Sequence, residues 1–163
     1  MARVRGHMMA LPLVSLFVTA ILSCSSTEDG AAPGTIDGGP IITCESDSRD
    51  VYVANLEKPG RAGTWKFVLA ESSPAPPARG RNTWTVKLLD ASGKPVTGAK
   101  IAVTAFMPAH GHSSPTTPIM TPAGDGYSIG PISLFMPGLW EVTVDAEAAG
   151  IRDSTVFSFC VAG

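Results

Sequence analysis

Beyond residue 23 the chain carries three methionines and two histidines, and all five (Met107, His110, His112, Met120 and Met136) fall between Met107 and Met136. Thioether and imidazole make a soft, neutral ligand set that suits Cu(I), and imidazole takes Cu(II) as well. Zinc sites draw instead on thiolate, imidazole and carboxylate. Calcium and magnesium want gathered oxygens, whereas the acids of this chain are scattered. If a metal binds, copper is the ion these donors select. In Met107-Pro-Ala-His110-Gly-His112 an extended segment would put both imidazoles on one side, and Gly111 frees the backbone to bend so that they converge. Each residue also has a plainer role. Methionine is an ordinary core filler, and histidines in a Pro/Ser/Thr loop are commonly solvated.

Positioning these donors falls to short strands. Val51–Leu56 and Thr64–Ala70 read as strands. The clearest is Asn82–Leu89, where Trp84, Val86 and Leu88 alternate with Thr83, Thr85 and Lys87 in the period of a half-buried strand. Asp90-Ala-Ser-Gly-Lys-Pro95 is a turn, and Lys100–Phe106 is the next strand. A Pro-rich loop follows from Met107 to Pro122, then a short strand at Gly126–Ile129. Leu139–Ala146 alternates again, Ala146–Gly150 makes a turn of helix at most, and Asp153–Val161 closes the domain. Trp65, Trp84 and Trp140 belong to the core. Met107 shares parity with Ile101 and Val103 and should point inward; Met136 shares it with Trp140, with Pro137-Gly138 between them. Phe-Met-Pro occurs twice, at 106–108 and 135–137. Should those two strand ends meet, two thioethers and two imidazoles line one rim. No segment shows a sustained helical stripe, so the expected fold is all-β: an immunoglobulin-like antiparallel β-sandwich of about seven strands.

The N-terminus places this domain. Arg3 and Arg5 precede an apolar run, Met8–Leu22, that is too short for a mature membrane span but suits a secretory signal. Its exit, Ile21-Leu22-Ser23-Cys24, resembles the bacterial lipoprotein box, which implies cleavage before Cys24 and lipidation of that cysteine; ordinary secretion is the alternative. The division that follows is a signal peptide at 1–23, a flexible linker at 24–43 and a domain at 44–163. The chain has three cysteines, Cys24, Cys44 and Cys160. Lipidation of Cys24 leaves Cys44 and Cys160 to pair in an oxidising compartment. Such a bridge would stabilise the fold by about 4 kcal/mol in the chain-entropy model. Loss of Arg3 and Arg5 leaves 10 basic against 14 acidic residues, a net charge of −4. With no basic cluster to meet phosphates, nucleic acid is not an expected partner.

The segments Phe106-Met-Pro-Ala-His-Gly-His112, Gly126-Tyr127 and Phe135-Met-Pro-Gly-Leu-Trp-Glu-Val142 resemble the YtkA-like domain, and the resemblance runs from about Arg81 to Ala146. It implies an exported or membrane-anchored sandwich with a copper-related binding role. Ala109 stands where many relatives carry another methionine or a polar residue. The expectation is a lipid-anchored periplasmic protein that binds copper through His110, His112 and some of Met107, Met120 and Met136. It would then store the ion or hand it to a copper-handling partner. Ser25 after Cys24, in place of the aspartate that marks inner-membrane retention, favours the outer membrane. The competing expectation is an immunoglobulin-like interaction module without metal. No acid in the sequence is placed to orient a histidine toward Ser113 or Ser114, and Asp125, between two glycines, reads as a turn residue, so no enzyme is expected.

Overall fold

The structure is a computed structural model, and it describes residues 44–45 and 49–163. The signal segment, Cys24 and the linker lie outside the described residues. The described chain forms nine strands: β1 (Leu56–Pro59), β2 (Lys66–Ser73), β3 (Gly80–Leu89), β4 (Lys100–Met107), β5 (His112–Ser113), β6 (Ile119–Ala123), β7 (Gly126–Leu134), β8 (Gly138–Ala148) and β9 (Ile151–Val161). They make two antiparallel sheets, ordered β1-β2-β3-β7-β6 and β5-β4-β8-β9, which form a β-sandwich. Between them lies one core in which Trp84, Phe67, Leu69 and Ile129 of the first sheet join Trp140, Val142, Phe157 and Met107 of the second. The Trp84 ring meets Phe157 and Phe159 edge-on at 5.9 and 5.7 Å, an arrangement aromatic quadrupoles favour.

Alternation predicts the inward faces well. Trp84, Val86 and Leu88 are buried while Thr83 is exposed and Lys87 half-buried. The count of strands exceeds the expected seven because two short ones, β5 and β6, form inside the stretch read as a Pro-rich loop. Strand β7 also runs past its expected end at Ile129. Gly130-Pro131 looks like a terminator, yet Thr83 faces both residues where the β3–β7 register shifts between Asn82 and Trp84. Proline at such a bulge costs the ladder no hydrogen bond. Strand β1 lies further along than the expected Val51–Leu56. Asn55 has φ 62°, which interrupts an extended run there, and Val51 and Val53 are exposed.

Gly126-Tyr127 is scaffolding. A side chain at Gly126 would press against the Val86 carbonyl at 2.7 Å. The buried Tyr127 hydroxyl donates to Val96 O at 3.0 Å and accepts from Ala99 N at 2.8 Å, tying the β3–β4 connection to β7. Asp125 is a turn residue beside Gly124, paired with Lys87 at 2.9 Å. That hydrogen bond from Lys87 holds its carboxyl below the ordinary range.

At the β8–β9 hairpin, Ala148 pairs with Ile151, and Ala149-Gly150 form a two-residue turn at φ 51° and 77° rather than a helical turn. Positive φ at both positions is the type I′ pattern, which alanine tolerates poorly. Ala149→Asn is expected to raise stability by about 0.5–1 kcal/mol. Urea melts of the two proteins check this, and a lower midpoint in the variant would contradict the assignment.

Candidate metal centre

The site is built where β4 runs out. Pro108 has no N–H to continue the ladder, and Pro108–His110 form a single 3-10 turn. Gly111 follows at φ 66° and ψ 26°, with its N–H bonded to the carbonyls of Met107 and Pro108 at 3.0 and 3.2 Å. This left-handed position is one that glycine occupies without penalty. The chain then reverses into β5, where His112 pairs with Met107 and Ser113 with Phe106. Ser114 N donates to Ala105 O at 2.7 Å and seals the reversal. The two histidines therefore meet through a turn and not through an extended segment. Their ring centroids are 5.7 Å apart, inclined at 55°.

Residues directly opposite on antiparallel strands carry their side chains on the same face, so Met107 and His112 are neighbours by register. Their environments differ. Met107 is 1% exposed and belongs to the core, His112 is half-buried, and His110 is exposed. The Met107 methyl lies against Gly138, where an added Cβ would come within 2.6 Å of Met107 Cε. Gly138 also has φ 123°, outside the range of other residues. That glycine thus admits the thioether beneath it.

The second Phe-Met-Pro arrives at the same end. Phe106 pairs with Glu141, so the end of β4 and the start of β8 are adjacent and the two Phe-Met-Pro segments meet at one end. Met136 is half-buried and packs on the core; its carbonyl accepts the Trp140 Nε1 proton at 2.9 Å. The Phe135 ring stacks on His112 at 5.9 Å, the planes inclined by 11°, and meets Trp140 edge-on at 5.3 Å. Met120 reaches the core from a different element. It sits on β6, the edge strand of the other sheet, half-buried against the core with Ile129 as its strand partner. The structure thus gathers Met107, His110, His112 and the Phe135–Met136 link at one end of the sandwich.

Two imidazoles can share one ion at this separation. With a metal–nitrogen bond of about 2.0 Å, each ring centroid lies about 3.2 Å from the ion, so two centroids can stand up to about 6.4 Å apart. The observed 5.7 Å falls inside that limit. Among the described residues, no three of His, Cys, Asp and Glu gather to hold a metal. The thioethers of Met107 and Met136 lie at the same end and are the soft donors available to complete such a site. A groove of about 520 Å³ lies elsewhere, where Arg61 and Ala62 overhang the β4–β8–β9 sheet at Lys100, Asp145 and Arg152. It includes none of the five donors.

Sequence reasoning overlooked Phe135 and Gly138 as parts of this site. The repeated tripeptide marks Phe135; Gly138 lies just beyond it, and its role depends on the Met107 methyl from another strand. No curated protein and no solved structure matches the chain. The model of the YtkA-like family matches residues 60–145, a span that includes all five donors together with Phe135 and Gly138. This chain belongs to the YtkA-like family.

Proposed function

We propose that this protein binds copper at the cell envelope, anchored on the periplasmic side by lipid on Cys24, and stores the ion or passes it to a copper-handling partner. One observation carries the reading: His112 stands opposite Met107 in the β4–β5 register with the His110 ring 5.7 Å away. His110 and His112 would hold the ion, with Met107 and Met136 as thioether donors on the same end. Met120, on the edge strand of the facing sheet and packed against the same core, is a further candidate donor. Bound there, copper would be cargo, and the residues' task is to bind it and release it. Thioether and imidazole are soft, neutral donors, which favours copper over hard, oxygen-seeking ions.

A second reading, an interaction module without metal, draws on the burial of Met107, whose thioether is packed as a core side chain. Titration of the purified chain with Cu(I) against a chromophoric chelator separates the two. Copper binding predicts competition at micromolar metal and a loss of at least about tenfold in affinity for His110→Ala/His112→Ala. Absence of competition, or an unchanged affinity in the double histidine variant, would decide for the interaction module.

A further inference from the structure

Resting on the copper reading, we infer that Phe135 is a positioning residue that holds the His112 imidazole in its binding orientation. Its ring lies nearly parallel to that imidazole, 5.9 Å between centroids at 11°, the offset-stacked arrangement of aromatic pairs. Behind Phe135 stands Trp140, fully buried, edge-on at 5.3 Å to Phe135 and 6.4 Å from His112. The backbone that carries Phe135 is tethered twice: Arg79 Nε donates to Phe135 O at 3.1 Å, and Trp140 Nε1 to Met136 O at 2.9 Å. A rigid path therefore runs from the core through Trp140 and Phe135 to the imidazole. His112 needs such support because β5, which carries it, is a two-residue edge strand. A ligand whose rotamer is fixed in advance loses less freedom when the ion arrives.

Phe135 is 38% exposed, so replacing it leaves the core intact. Phe135→Leu keeps an apolar side chain without the planar ring, and Phe135→Tyr restores the ring. Cu(I) affinity of the full chain should fall about tenfold in Phe135→Leu, the scale seen for groups that orient metal ligands, and return in Phe135→Tyr. In a His112→Ala background the leucine substitution should have no further effect, because its route to the ion has gone. A metal-free readout runs beside this. In NMR spectra of the apo chain, the His112 ring protons, shielded by the face of Phe135, should move downfield in Phe135→Leu and return in Phe135→Tyr. Unchanged His112 signals, or an equal loss of affinity with and without His112, would overturn the positioning role while leaving copper binding in place. A parent chain that fails to bind copper would overturn both.

Discussion

Removing the Cys44–Cys160 bridge is expected to cost about 4 kcal/mol, a fall in melting temperature of roughly 15 °C for a domain of this size. The two cysteines are bonded across a separation of 116 residues, with Cα atoms 5.5 Å apart. Closing so long a loop removes much of the conformational freedom of the unfolded chain, and that loss is where a cross-link acts. In the folded state Cys160 is a β9 residue paired with Leu139 of β8, so the bridge fastens the start of the domain to its last strand. Asp50 continues the same attachment: its N–H donates to Ser158 O at 2.6 Å, and its carboxylate accepts Ser158 N at 2.7 Å and Lys58 Nζ at 2.8 Å. Thermal melts of the oxidised chain, the reduced chain and Cys44→Ser/Cys160→Ser check this. The reduced and serine forms should coincide, since each loses only the loop constraint. A shift below about 1 kcal/mol would mean that these residues are held well enough without the bridge.

Asp153→Asn should destabilise the fold by about 3 kcal/mol at neutral pH. The Asp153 carboxylate is buried on β9 and accepts four backbone N–H groups: Ala62 and Ser154 on one oxygen at 2.8 Å each, Thr64 and Trp65 on the other at 2.9 and 3.0 Å. Gly60 completes the cradle, because any side chain there would overlap the carboxylate. An asparagine offers one oxygen to one pair of donors and sets its own NH₂ against the other pair. It would leave buried donors unsatisfied and lose the charge that strengthens all four bonds.

The same contacts set a pH dependence. Burial pushes the Asp153 carboxyl up, but the four N–H donors outweigh it and hold it below the ordinary carboxylate range. A group depressed in the folded state contributes its stability above its unfolded pKa of about 3.9. That stability is lost as pH falls through the lower, folded value. The parent chain should therefore lose this contribution below about pH 4, while Asp153→Asn, already lacking it, shows a shallower acid limb. Urea melts at pH 7 and pH 3 supply the comparison. Parallel acid limbs in the two proteins would contradict the assignment.

The two anchors were not equally visible in the sequence. The pairing of Cys44 with Cys160 was expected from cysteine count alone once Cys24 was assigned to the expected lipoprotein box, and the two are bonded. Asp153 gives no such sign. In sequence it is one acid among many, at the start of a strand, and the loop it binds is some ninety positions earlier. The site divides in the same way. Met107 was legible as an inward residue from its parity with Val103, and burial agrees. The bend at Gly111 was legible from its residue type, and a 3-10 turn, not an extended segment, brings the His110 and His112 rings to 5.7 Å.

What the linear chain determined was everything local or countable: alternation that makes strands, the inward face of β3 and β8, the concentration of soft donors between Met107 and Met136, and the cysteine pair. What only the tertiary structure decided was which distant segments face one another. The stacking of Phe135 on His112, the space Gly138 leaves for the Met107 methyl and the loop closed over Asp153 are of this kind. Periodicity is a property of neighbouring residues, whereas register between sheet partners is selected by the packing of the whole core. The same limit applies to Met120, whose residue type is read from the chain and whose place on the edge strand of the facing sheet is not.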